Sequence, residues 1–244
     1  MAPGQAPAPV DRSEMLRILN HNLTLDPRRT AVITIDCHRG HLDPAVATMP
    51  VAPGAAASVV AATARLLRLA RESDMAVVHV ILQNRVLRDG ISEPLHNPFW
   101  NAVETANQVL TPDRESTISR HNLAGSVQTE LMPELGPEEG DVVIRTKRRL
   151  SIFRDTDLDL TLRELGIDTV VLAGINTNTC VQCAAFESLN RDLKTIVVAD
   201  CVASMYGDDL HHFGLQNIAR CLGWVLSLDE TVGKIQAARA ALAR

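Results

Sequence analysis

Hydrophobic positions along this chain gather into short unbroken runs separated by longer stretches of helical spacing. Thr30-Ala-Val-Ile-Thr-Ile-Asp36, Met75-Ala-Val-Val-His-Val-Ile-Leu82, Asp141-Val-Val-Ile-Arg-Thr-Lys147, Thr169-Val-Val-Leu-Ala-Gly174 and Lys194-Thr-Ile-Val-Val-Ala-Asp200 read as strands. They do not alternate apolar with polar, as strands covered on both faces of a parallel sheet need not. Between them the spacing predicts helices over 54–74, 125–135, 157–166, 180–191 and 208–222, then a short strand at 224–226 and a closing helix. Alternation of this kind predicts an α/β domain, an open and mostly parallel sheet with helices on both faces.

Two regions depart from the pattern. Residues 1–22 form a Pro/Ala-rich tail, and 12–22 within it could be a short helix or an arm. From 83 to 123 the periodicity fails, interrupted by Pro94, Pro98 and Pro112, which reads as an insertion that shapes or covers a site. The rest, 23–244, is expected to be one domain.

Composition narrows the function. The net charge of −5, with 24 Lys+Arg dispersed among 29 Asp+Glu, gives no basic face for nucleic acid or an anionic membrane. No run is long and uncharged enough to span a bilayer, and the N-terminus has no signal-peptide pattern. Five cysteines, an odd number placed in apolar segments, suit reduced thiols and a cytoplasmic protein.

The chemistry lies at strand ends. In open α/β sheets ligands bind beyond the carboxyl ends of the strands, where strand order reverses. Here one strand ends in Asp36, another in Lys147, and Cys180 follows the turn after Gly174 at the start of a helical segment. A helix N-terminus and a nearby cation both favour the thiolate, and a carboxylate can shuttle the proton. Together they describe a cysteine nucleophile, whereas each alone could be a solvated strand end or an inert buried thiol.

These motifs, Asp36 after its strand, Lys147-Arg-Arg-Leu-Ser-Ile-Phe153 and Gly174-Ile-Asn-Thr-Asn-Thr-Cys-Val181, resemble the isochorismatase-like cysteine hydrolase superfamily over roughly residues 28–230. The resemblance implies a three-layer αβα fold with a doubly wound six-stranded parallel sheet of order 3-2-1-4-5-6. It implies an Asp36, Lys147 and Cys180 triad, a cis peptide between Ile175 and Asn176, and an oxyanion hole from the backbone N–H groups of Asn176 and Cys180. It also implies a homo-oligomer, dimer or tetramer.

Within such a family, Cys180 argues for amide hydrolysis rather than vinyl-ether cleavage. Nicotinamidases resemble this chain too, but add a metal held by an Asp-x-His pair after the second strand. Gln83-Asn-Arg-Val lacks that pair, and His96 and His121 lack the spacing to replace it, so no metal and no cofactor are expected. What remains resembles the metal-free amidases of carbamoyl, ureido, biuret-type and maleamate-type compounds. The substrate is then expected to be a small amide or ureide, cleaved through a thioester with release of ammonia or an amine. His38, Arg39, Arg85, Asn176, Phe99 and Trp100 are candidate substrate contacts. Two other readings are a thiol–disulfide redox protein using Cys180 and Cys183, and a non-catalytic binding protein on the same fold.

Overall fold

Strand β1 (Thr30–Ile35) is buried at every position and pairs in parallel on both sides. Its neighbours are β2 (Ala76–Val80) and β4 (Thr169–Ile175). Beyond β2 lies β3 (Val142–Ile144), and beyond β4 lie β5 (Lys194–Ala203) and β6 (Trp224–Leu226). All five pairings are parallel, and the order is 3-2-1-4-5-6. The computed structural model describes residues 10–106 and 116–242; the start of the Pro/Ala-rich tail and the part of the insertion around Pro112 lie outside them.

Successive side chains of the central strands supply two separate cores, one on each face of the sheet. Val32, Val171, Ala173 and Ile196 pack under α3 (Pro53–Arg71) and α8 (Leu228–Leu242), against Leu66, Leu67 and Ile235. Ala31, Ile33, Val170, Leu172 and Val197 face the other way, against Leu158 and Leu162 of α5 (Leu158–Glu164), Ala184 and Ala185 of α6 (Gln182–Leu189) and Ile218 of α7 (Asp208–Cys221). Each Val, Leu or Ile so buried contributes about 1.5–3 kcal/mol, which is why strands without a polar face are stable only here.

Some elements differ from expectation for local reasons. No helix forms over 125–135. Gly125 adopts a positive φ and Pro133 breaks the run, leaving 3₁₀ turns at Val127–Thr129 and Pro133–Leu135. Strand β5 runs past Asp200 to Ala203, and its pairing with β4 shifts register between Leu172 and Gly174. The Asp200 carboxylate accepts from the Leu228 N–H at 2.6 Å, at the start of α8. Helix α1 (Ser13–Asn22) lies beside β6 of its own chain, where the Leu19 carbonyl accepts from the Trp224 indole at 3.0 Å. Among its described residues the insertion contains one α-helix, α4 (Pro98–Thr105), preceded by a 3₁₀ turn at Glu93–His96. No described helix is long and apolar enough to cross a membrane.

The sheet closes tightest where β4 leaves β1. Gly174 has φ 128°, and a Cβ there would lie 2.0 Å from the Ile35 carbonyl oxygen. That contact is with backbone, so no rotamer change relieves it. Gly174→Ala is therefore expected to cost about 3 kcal/mol or more, read as a lowered denaturant midpoint. An unchanged midpoint would contradict this packing.

Candidate active site

The strand order reverses between β1 and β4, and three side chains meet beyond their carboxyl ends. Asp36 directly follows β1 with φ 54°, a left-handed conformation uncommon for a non-glycine residue. Its backbone N–H donates to the Val80 carbonyl at 2.9 Å, and its Oδ1 accepts from the Leu82 N–H at 2.8 Å. Its Oδ2 accepts from Lys147 Nζ at 2.6 Å. The same Nζ lies 3.3 Å from Cys180 Sγ. Asp36 and Lys147 are fully buried, and Cys180 is nearly so.

Burial dominates the electrostatics. It pushes the Cys180 thiol up to about 12; the Lys147 ammonium pulls it back, and Asp36, both as a charge and as a hydrogen-bond partner, favours the protonated thiol. The lowering expected from the helix N-terminus is thus overturned by desolvation. For Lys147 burial works against the charge, but Asp36 and Cys180 more than offset it and hold its pKa above the ordinary lysine value. The thiol therefore favours its protonated form beside a charged Lys147.

The turn carrying the thiol is braced from several sides. The Ile175–Asn176 peptide is cis, and Thr177–Val181 form a π-helical turn leading into α6. The Asn176 side-chain oxygen accepts from the Met205 N–H at 2.8 Å, and the Asn178 side-chain oxygen accepts from the Ser204 hydroxyl at 2.7 Å. Thr177 Oγ1 and His211 Nδ1 share a hydrogen bond of 2.8 Å, so His211 supports the turn rather than standing on a solvated face. Gly214 lets α7 approach the Asn178 backbone, where a Cβ would sit 3.1 Å from its Cα. Cys183 is half-buried one turn further along, outside the cavity lining, and both thiols are free.

A cavity opens above Cys180. Asn176, Thr179, Leu82, Asn84, Trp100 and Tyr206 contribute to its wall, as do Arg148 and Arg149. Of the expected substrate contacts, Trp100 and Asn176 line it. Arg39 instead pairs with Asp43 at 2.8 Å and Glu130 at 3.2 Å, Arg85 pairs with Glu93 at 2.6 Å, and Phe99 is exposed. His38 is buried behind the wall. The cations that do reach the cavity, Arg148 and Arg149, directly follow Lys147 in the sequence, a signal that was available there. Arg148 donates to the Gln83 carbonyl at 2.9 Å and Arg149 to the Arg148 carbonyl at 2.7 Å; neither joins an ion pair among the described residues.

Histidines that sequence spacing set aside also converge. His41, in the short helix α2 (Arg39–Leu42), and His121, at the end of the insertion, both line the cavity, and His38 stacks on His41 with ring centroids 4.8 Å apart. Spacing could not show this, because His121 comes from a loop folded back over β1. By contrast His79, within β2, is satisfied in the core, its Nδ1 2.7 Å from Thr34 Oγ1 and its Nε2 3.2 Å from Asp141 Oδ2.

Comparison with known proteins places this geometry among relatives. The ureidoacrylate amidohydrolase RutB of Methylobacterium radiotolerans is 37% identical over 130 residues, covering 53% of this chain and 49% of that protein, about half its length. The maleamate amidohydrolase of Pseudomonas putida is 28% identical, covering 86% of this chain and 88% of that protein. The crystal structure of N-carbamoylsarcosine amidase from Thermoplasma acidophilum superposes with a TM-score of 0.62 at 25% identity, covering 82% of this chain and 97% of that one. Residues 30–230 match the isochorismatase domain, and the chain belongs to the isochorismatase family.

Proposed function

We propose that the protein is a cysteine-dependent amidohydrolase acting on a small amide or ureide that bears a carboxylate. The observation that carries the reading is the buried contact of Lys147 Nζ with both Asp36 and Cys180 at the base of a cavity. Three relatives named as amidases of ureidoacrylate, maleamate and N-carbamoylsarcosine support the reaction class.

The chemistry follows from the neutral thiol. Cys180 Sγ attacks the carbonyl carbon while its proton passes to Asp36, so the nucleophile is released only as the carbon–sulfur bond forms. Negative charge then develops on the carbonyl oxygen, which the backbone N–H groups of Asn176 and Cys180 receive; one such donor is worth about 3 kcal/mol in the transition state. As the carbon–nitrogen bond breaks, the leaving nitrogen takes the proton from Asp36, leaving a thioester. Water attacks that carbon, Asp36 accepts its proton, and the thiolate departs and is reprotonated. Lys147 holds the carboxylate and the developing thiolate in place throughout.

Substrate class follows from the wall. Trp100, Ile118 and Leu82 give an apolar surface, whereas Arg148 and Arg149 bring two guanidiniums, neither in an ion pair among the described residues, although Arg148 also acts at longer range on the Glu93 carboxylate. A guanidinium fork suits a carboxylate, so a carboxylated amide or ureide fits better than a neutral one.

Ammonia release from N-carbamoyl amino acids, ureido acids and dicarboxylic monoamides tests this, with neutral amides beside them. The wild type is expected to turn over a carboxylated compound, Cys180→Ala none, and Arg148→Ala to raise KM about tenfold with kcat little changed. Preference for neutral amides would contradict the substrate class, and no turnover by folded protein the reaction. The pH dependence of Cys180 alkylation by iodoacetamide provides a second check. With the thiol raised to about 12, the rate should keep rising about tenfold per pH unit from 7 to 10. A plateau beginning near pH 7 would mean a resting thiolate.

A further inference from the structure

The geometry points to a divalent transition-metal site formed by His38, His41 and His121, with an open position facing the cavity above Cys180. One nitrogen from each ring lies within 4.8 Å of the other two. All three residues are buried, yet no carboxylate joins the cluster among the described residues.

The hydrogen bonds set which nitrogen is available on each ring. The Met49 carbonyl can only accept, so at 2.6 Å it fixes the proton of His41 on Nδ1 and leaves the Nε2 lone pair free. His121 Nδ1 is held by Thr48 Oγ1 at 3.0 Å, and its buried Nε2 has no partner among the described residues. The Nε2 of His38 accepts from Asn122 Nδ2, which also donates to the Leu82 carbonyl at 2.9 Å, so its buried Nδ1 is the nitrogen without a partner among the described residues. The nitrogens left to bind an ion are therefore Nε2 of His41, Nε2 of His121 and Nδ1 of His38. Burial keeps the rings neutral, the form that binds metals.

A carbonyl and a hydroxyl on the far side of two ligand rings is the arrangement that orients metal-bound imidazoles. Three imidazoles with an exchangeable fourth position suit Zn²⁺ or a neighbour such as Co²⁺. A zinc–nitrogen distance of about 2.0–2.1 Å brings tetrahedral ligand atoms to about 3.4 Å apart, so the widest nitrogen pair must close by about 1.4 Å. Because His41 and His121 line the cavity, the open position faces the substrate, where the ion can take a carboxylate or carbonyl oxygen. The residues differ from the Asp-x-His pair sought after β2.

The site shares no residue with Asp36, Lys147 and Cys180, so it fails or stands separately from the amidase reading. The full-length protein, stripped with a chelator and re-equilibrated with Zn²⁺ or Co²⁺, is assayed by elemental analysis and visible absorption. About one ion per chain is expected, with Co²⁺ giving a d–d band between about 500 and 650 nm. His41→Gln and His121→Gln, checked as folded by circular dichroism, should each weaken binding at least tenfold, whereas Cys180→Ala keeps it. Less than a tenth of an ion per chain in the wild type would overturn the site. So would binding that survives both histidine substitutions but disappears with the cysteines blocked; if the glutamine variants do not fold, loss of the Co²⁺ band on blocking the thiols of the wild type overturns the site in the same way.

Discussion

The buried ion pair between Lys147 and Asp36 is the constraint on which the rest of the site depends. Removing two charges from water costs several kcal/mol each, and only close geometry with further hydrogen bonds offsets it. Here Asp36 Oδ1 is held by the Leu82 N–H and Oδ2 by Lys147, and Lys147 extends a third contact to the thiol. The fold supplies this geometry: β1 delivers the acid, the chain after β3 the ammonium, and the turn after β4 the thiol. Losing either charged partner would strand the other in the interior, so the pair ties stability to the geometry of the site.

Burial has a second consequence. It makes the Cys180 thiol hard to ionise, despite its place at the start of a helix. In the proposed mechanism proton transfer to Asp36 accompanies attack, and the lysine keeps the developing charges together. A protonated resting thiol is also less open to alkylation and oxidation than an ionised one.

Much of this was legible in the chain. Apolar runs gave five of the six strands, since a sheet covered on both faces accommodates them, and the charged residues after two of them, Asp36 and Lys147, pointed to the crevice beyond the strand ends. Asp36, Lys147 and Cys180 were found because a strand end fixes where its next residues go. Arg39 and Arg85 misled because sequence shows a charge but not its partner, and each is engaged by a carboxylate. The expected helix over 125–135 failed because Gly125 and Pro133 outweigh the apolar spacing between them. His41 and His121 could not be joined by any spacing rule, since the loop that unites them has no periodic pattern of its own.

The central claim is that Cys180 carries the acyl group. Intact-mass analysis of protein quenched during turnover of a carboxylated amide, followed by peptide mapping, tests it most directly. The account predicts a transient adduct of the acyl mass on the peptide containing Cys180, removed by hydroxylamine and absent in Cys180→Ala. Turnover without any such adduct under conditions where deacylation is slowed, or an adduct on another residue, would contradict it.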